Sequence, residues 1–399
     1  MTAAAMTREA PLQGAALWIV AIMLAMANFI AVLDMTIANV SMASIAGSLG
    51  ISSSQGTWVI TSYAVAEAIA VPLTGWLATR FGAVRVFTTA MMLFGIFSAL
   101  CGFAGSLSML VFGRIMQGLA GGCLMPLSQM LLLKVFPREK APAAMALWAM
   151  TTLVAPVLGP ILGGTICDNF SWHFIFLINV PIALLAAPFI ARTLARFEAT
   201  PVRNPIDVFG LVLMVIFVSS LQLMLDLGKE HDWFNSVEVR VLAVLAVFFF
   251  FAFVFWELTD DNPIVDLRVF RHRGFSASVF TLSLGFGAMF GANVLTPLWL
   301  QTYMGYTATW AGLTTAWTGV CAVAMAPVAA LLMAKKVDPR RLVFIGLSWI
   351  GFVMLLRTYV TVDVTYWQIS IPLILMGIGL PLFFVPDRGQ AGRLLDDDD

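Results

Sequence analysis

Charge is scarce in this chain. Only 11% of its 399 residues are Asp, Glu, Lys or Arg, against about 25% in an ordinary soluble domain. A soluble globule needs more polar surface than this to cover its core. A soluble enzyme, a nucleic-acid binder and a disordered chain are therefore excluded. Histidine is scarcer still: His173, His231 and His272 lie far apart and form no ligand cluster. The four cysteines, Cys101, Cys123, Cys167 and Cys321, show neither metal nor redox spacing, and they read as small buried hydrophobes. There is no glycine-rich phosphate loop and no nucleophile with its base, so neither catalysis nor a bound metal is expected. The 22 basic and 22 acidic residues cancel, so no global field selects a partner.

What is present is apolar. Sixty percent of the residues are hydrophobic and the mean hydropathy is +0.93. A bilayer-spanning helix takes about 20 apolar residues, so composition caps the count near twelve spans. Long unbroken runs such as Val241 to Trp256 favour helices over the short alternating segments of a barrel. The fold class is thus all-α and polytopic, in the lipid bilayer. Spans are expected at 16–42, 57–78, 84–104, 107–133, 142–166, 174–194, 207–227, 239–257, 276–301, 309–334, 342–360 and 367–386. The first run is too long for a signal peptide and carries Asn28 and Asp34, so it is read as a retained helix.

Basic residues orient these spans. With the N-terminus in the cytoplasm, eighteen of the 22 fall in inside segments. Only Lys229 and Arg240 fall outside, and Arg114 and Arg357 lie within spans. That asymmetry is the positive-inside pattern. A loose internal repeat accompanies it. Pro72 to Arg85 and Pro327 to Arg340 each begin with a proline late in a span and place basic residues eight and thirteen positions on. Each follows a Thr-Trp pair, Thr57-Trp58 or Thr309-Trp310. Chance matching remains an alternative. Read as real, the repeat relates two like-oriented bundles by an axis along the membrane normal. The resulting division is a cytoplasmic tail (1–15), a six-helix N-terminal bundle (16–200), a two-helix insert with its inner loop (201–274), an incomplete four-helix C-terminal bundle (275–386) and an aberrant tail (387–399).

Ionisable side chains inside spans are costly and mark function by default. Asp34, Glu67 and Arg114 lie at depths of roughly 13, 15 and 10 Å by helical rise, so they can meet at one level. A carboxyl poised between low dielectric and a nearby arginine can load and release a proton. The alternative is a fixed Asp34–Arg114 pair that only joins two helices. Arg357, near a span end, can snorkel to the interface. Ala155, Gly159 and Gly163 recur every four residues, and Pro156 and Pro160 bend their helix. A close-packed seam between halves is the expectation, with plain packing as the alternative. Arg80 and Arg85 flank Gly82 in a very short inner turn, readable as a gate latch or as ordinary inside charge. Trp58, Trp76, Trp148, Phe286 and Trp317 are candidates to line a pocket, with lipid-facing or packing roles as the alternatives.

Several motifs resemble those of one family. Leu33-Asp34-Met35-Thr36-Ile37-Ala38-Asn39-Val40 is similar to LDxTIxNV. Gly75-Trp76-Leu77-Ala78-Thr79-Arg80-Phe81-Gly82 resembles the gate loop GxLaDRxG, with Thr79 in place of the acid. Arg114-Ile115-Met116-Gln117-Gly118 is similar to RxxQG. Ala155 to Gly164 resembles the antiporter motif GxxxGPxxGG, with alanine first and Gly159, Pro160, Gly163 and Gly164 in register. Trp172 to Pro181 resembles WRWIFxINVP, and Trp256 to Asp266 resembles that family's inner loop after the eighth span. Together they resemble the fourteen-helix drug:proton antiporters of the major facilitator superfamily, the EmrB/QacA type. The resemblance implies proton-coupled efflux of lipophilic small molecules across a bacterial inner membrane, with no cofactor beyond the proton gradient. It further implies a periplasmic membrane-fusion adaptor and an outer-membrane channel as partners. It makes the acid at Asp34 a family feature and implies a neutral residue at Glu67. An exporter of another solute or siderophore, or a non-transporting truncated product, are the alternatives. The resemblance stops near Pro386, where family members continue with two more helices, so the tail reads as truncated or out of frame, with a natural twelve-helix variant as the alternative.

Overall fold

A span in hydrocarbon must satisfy its own backbone hydrogen bonds, and each apolar run here folds as helix. The computed structural model describes residues 12, 14–137, 140–198, 201–202, 205–229, 231–261, 263–334, 337–359, 361 and 363–394. Most of the expected N-terminal tail therefore lies outside the described residues. The helices are α1 (Gly14–Leu49), α2 (Ser53–Phe81), α3 (Ala83–Gly102), α4 (Leu107–Gly121), α5 (Leu124–Val135), α6 (Ala141–Asn169), α7 (Phe174–Leu177) and α8 (Asn179–Leu194). Then follow α9 (Val208–Gly228), α10 (Val237–Thr259), α11 (Arg273–Thr302), α12 (Ala308–Ala334), α13 (Pro339–Arg357) and α14 (Tyr366–Leu394). No strand occurs among the described residues.

Local chemistry sets several boundaries. Ser52 and Gln55 form a reciprocal capping box at the start of α2, with both bonds at 3.1 Å. Asp207 caps α9 by accepting the Gly210 N–H at 2.8 Å. The fourth expected span breaks into α4 and α5 at Gly122-Cys123, and the sixth into α7 and α8 at Ile178.

Among the described residues, eleven spans are long and apolar enough to cross a membrane. The expected eleventh span, α13, is not among the eleven, and Arg340, Arg341 and Arg357 stand at its ends. It packs on α14 through Gly346 and Gly379, which leave room for Phe383 and Trp349. The last helix also differs from expectation. It continues past Pro386 to Leu394, and only residues 395–399 of the expected tail lie outside the described residues.

The helices alternate in direction, so Arg80, Arg85, Lys134, Arg192, Arg268 and Arg340 collect at one end, here termed the basic end. Helices α1 to α6 and α8 share one core, in which Phe87, Phe94, Leu124, Leu131 and Trp148 are buried, and α7 packs Ile175 and Phe176 in a second cluster with α1 to α4. Helices α9 and α10 pair and lean on α2, where Ile69 and Leu73 meet Leu213, Met214 and Phe253. Helices α11 to α14 gather around Met289, Ala322, Val353 and Phe383. The chief link between this group and the first bundle is α6 against α12.

Candidate functional site

Asp34, in mid-α1, is fully buried, and so is Arg114 on α4, at 1% exposure. The two form a salt bridge, so the level inferred from helical depth holds for this pair. Asp34 Oδ1 accepts from Gln117 Nε2 at 2.9 Å and from Asn179 Nδ2 at 2.8 Å. Both amides also reach Ser98 Oγ, at 2.7 and 3.1 Å. Arg114 donates to Gln117 Oε1 at 2.9 Å and through Nε to the Val59 carbonyl at 3.0 Å. Its guanidinium stands 4.1 Å from the centre of the Tyr63 ring, a cation–π contact in a dry site. One carboxylate thus ties together α1, α3, α4 and α8, with α2 holding the arginine from the far side. Gln117 and Asn179 fall inside motifs noted in the sequence, but neither had been singled out. A neutral amide pays a smaller membrane penalty than a charge and so stands out less in sequence.

Glu67 joins this neighbourhood without joining the network. It lies within electrostatic reach of Arg114 and Asp34 and is half-buried. Close approach of α2 to α4 fixes its backbone. A Cβ on Gly118 would fall 3.2 Å from the Glu67 nitrogen, and one on Gly122 would fall 2.7 Å from its oxygen.

The gate-loop residues sit at the basic end. Gly75 is exposed, with open space where a side chain would project. Arg80 lies 5.9 Å from the Trp76 ring centre. Gly82 joins α2 to α3 at φ +95°, a conformation open to glycine and strained for other residues. The acid that the motif lacks at Thr79 is supplied from elsewhere: the Glu198 carboxylate accepts the Val84 N–H at 3.1 Å and the Arg85 N–H at 2.9 Å. Arg85 Nε lies 3.9 Å from the same group. The segment around Glu198 is itself pinned, by Lys134 Nζ to the Phe197 carbonyl at 2.6 Å and by the Val202 N–H to the Thr79 carbonyl at 3.0 Å. The latch therefore closes within the first bundle.

The small-residue face of α6 is also placed differently from expectation. Ala155 packs on Val32 and Leu33. A Cβ on Gly159 would collide with Thr36 Oγ1, and one on Gly163 would meet Ile37 Cγ1 at 3.0 Å. The face thus seats α6 on α1, inside the first bundle. Pro160 and Gly164 are buried beside it. Contact with the second group uses another side of α6, where a Cβ on Gly312 of α12 would lie 2.9 Å from the Ile161 nitrogen. Period-four spacing marks a face but not which neighbour it meets.

One residue departs from its sequence reading, one falls to its packing alternative, and one was not noted. Arg357 turns inward and donates to Thr296 Oγ1 on α11 at 2.5 Å. Trp148 is 2% exposed and bonds Ser128 at 2.9 Å, so it serves packing. Asp226 on α9, not noted in the sequence, accepts from Thr61 Oγ1 on α2 and ties the α9–α10 pair to the bundle.

Comparison with known proteins places this architecture. The Major Facilitator Superfamily profile matches residues 24–396. The "Multidrug export protein EmrB" of Haemophilus influenzae is 47% identical over 378 residues, covering 94% of this chain and 74% of that protein. The protein of the same name from Escherichia coli K12 is 47% identical over 96% of this chain and 74% of its own length. The "Fatty acid resistance protein FarB" of Neisseria gonorrhoeae is 46% identical over 94% of this chain and 74% of its own. Among solved structures, a peptide transporter POT bound to sulfate aligns with a TM-score of 0.58 at 15% identity, over 94% of this chain and 87% of that one. That likeness concerns the fold alone. The buried polar cluster, the helical order and these relatives agree: the chain belongs to the Major Facilitator Superfamily, in its EmrB-type branch.

Proposed function

We propose that this protein exports lipophilic small molecules across the bacterial inner membrane in exchange for protons, with its N-terminus in the cytoplasm. The likeness to EmrB over 94% of the chain supports export. Proton coupling rests on a single observation, the sealed Asp34–Arg114 pair with Gln117 and Asn179. A proton on Asp34 removes the charge that holds Arg114. Arg114 is then a buried, unpaired cation, which is strongly destabilising. The cluster must rearrange, and α4 and α8 loosen from α1. Proton arrival thereby becomes helix movement. Glu67 lies close enough to respond to the same change of charge. At the basic end, Gly75, Arg80, Gly82 and Arg85 form the gate loop, held by Glu198. The Ala155–Gly159–Gly163 face, with Pro160 and Gly164, keeps α6 seated on α1 as the bundles rock. A periplasmic membrane-fusion adaptor and an outer-membrane channel complete the export path. The proton gradient is the energy source and no cofactor is needed.

The test is substrate-induced proton release from membrane vesicles. Asp34→Asn keeps the shape of the cluster but cannot exchange a proton at that carboxyl. We expect release to be abolished while the variant still inserts in the membrane. Proton release equal to the parent's would leave Asp34 a purely structural tie.

A further inference from the structure

Asp226 is an acid in an unfavourable place. It lies in the last turn of α9, inside a span and at the negative end of the helix dipole, where a carboxylate is disfavoured. Among the described residues no cation pairs with it. Its Oδ2 is held by neutral donors, Thr61 Oγ1 on α2 and Gln222 Nε2 at 3.3 Å. Ionisable groups inside spans are costly, so this one calls for a reason in the fold.

The position of Thr61 supplies it. Arg114 rests on two groups of α2, the Val59 carbonyl at 3.0 Å and the Tyr63 ring at 4.1 Å. Thr61 stands between them in sequence, and two steps along a helix turn a side chain by about 200°. Tyr63, Ala66 and Ala70 press on α4, where a Cβ on Gly118 would lie 2.9 Å from Ala66 and one on Gly122 2.8 Å from Ala70. Thr61, Ile69 and Leu73 look the other way, to the α9–α10 pair. One turn of α2 is thus held from both sides, by Arg114 on one and by Asp226 on the other. The outer turn after α9 keeps Asp226 in place. A Cβ on Gly228 would lie 2.6 Å from the Trp233 ring, and the His231 N–H bonds the Leu227 carbonyl at 3.0 Å.

We propose that Asp226 is a positioning residue for proton coupling: through Thr61 it braces the turn of α2 that holds Arg114 beside Asp34. This inference rests on the export reading above and gives the α9–α10 pair a part in it. Arg114 is shared between Asp34 and α2. A proton arriving at Asp34 takes away one holder, and the Val59 carbonyl and the Tyr63 ring must keep the guanidinium. Without the brace that second holder weakens, and protonating Asp34 costs more. The charged and titratable groups around Asp34 among the described residues are Arg114 on α4, Tyr63 and Glu67 on α2, and Cys101 on α3. Helix α6 packs on this part of α1 through Ala155 and Gly159, and α8 brings Asn179. A change at Thr61 or Asp226 removes none of them.

The test follows ethidium-induced proton release by the full chain in membrane vesicles across a pH series. Thr61→Val, similar in shape but without the donor, should move the midpoint of release about half a pH unit downward, the worth of one neutral hydrogen bond. Asp226→Leu should do the same, and the double variant should move it no further than either alone. Asp226→Asn and Thr61→Ser keep the bond and should hold the parent's midpoint. Thermal unfolding in detergent is measured alongside. A lower unfolding temperature in Thr61→Val with an unmoved midpoint would make Asp226 a plain fastener and overturn the proposal. Loss of release in Asp226→Asn would overturn it too, because Asp226 would then carry a proton itself. A parent chain that releases no proton for ethidium or for the uncharged N-phenylnaphthylamine sinks the export reading together with this one. Release by the parent, with every variant keeping its midpoint, sinks this one alone.

Discussion

The Glu198 carboxylate accepts the Arg85 backbone N–H at 2.9 Å across 113 residues of chain. Its other oxygen takes the Val84 N–H, so one side chain satisfies two free amides at the start of α3. Those amides carry the positive end of the helix dipole, where a carboxylate is favoured. The same carboxylate lies against Gly82, whose missing side chain leaves room for it. The turn between α2 and α3 is thus built around an acid delivered from the end of α8.

This contact predicts a stability signature. Glu198→Gln keeps one acceptor but turns an N–H group toward the second amide, and should cost about 2 kcal/mol, the worth of a charge-assisted bond. Gly82→Ala should cost about 1 kcal/mol for its positive φ, plus the displacement of Glu198. Because the added methyl and the carboxylate claim the same space, Gly82→Ala with Glu198→Ala should be less damaging than the two single effects summed. Thermal unfolding of the four proteins in detergent measures this. Strict additivity would mean that the two residues act independently.

Orientation gives a second prediction. Asn235 and Asp261 are exposed and lie beyond opposite ends of α10. With the basic end in the cytoplasm, a thiol placed at Asn235 in a cysteine-free chain should react with an impermeant maleimide in whole cells. One at Asp261 should react only after lysis. The reverse pattern would invert the topology.

How much of this was legible beforehand follows from what each signal measures. Span positions were readable because hydropathy reports directly on the cost of leaving water. The meeting of Asp34 with Arg114 was readable because two charges in a membrane need each other and their depths matched. Ser98, Gln117 and Asn179 complete the same site, yet neutral polar groups are common in helical bundles and give no comparable signal. Glu198 stands in a loop, where an acid is unremarkable in sequence, and only the fold carries it to α3. The direction of the Ala155–Gly159–Gly163 face was misjudged for a related reason. Spacing shows that a neighbour comes close, while topology decides that the neighbour is α1.

The two sides of α6 yield the last prediction. Gly159 and Gly312 both permit close approach, but to different effect. Gly159 faces Thr36 within one bundle, a contact expected to stay closed when that bundle moves as one body. An added methyl there overpacks a fixed seam, typically at a cost of about 1–3 kcal/mol. Gly159→Ala should therefore lower the unfolding temperature, and Thr36→Ala, which removes the atom in the way, should restore part of the loss. Gly312 faces Ile161 across the junction between the two helix groups, the contact that must open and close if the groups rock. If the groups rock, a methyl at that position is relieved by a small separation of the two bodies. Gly312→Ala should leave the unfolding temperature nearly unchanged while slowing export, read as a lower rate of ethidium loss from energised cells. Comparable destabilisation by both substitutions would show that the α6–α12 contact is as permanent as the α1–α6 seam, and would argue against movement at that junction.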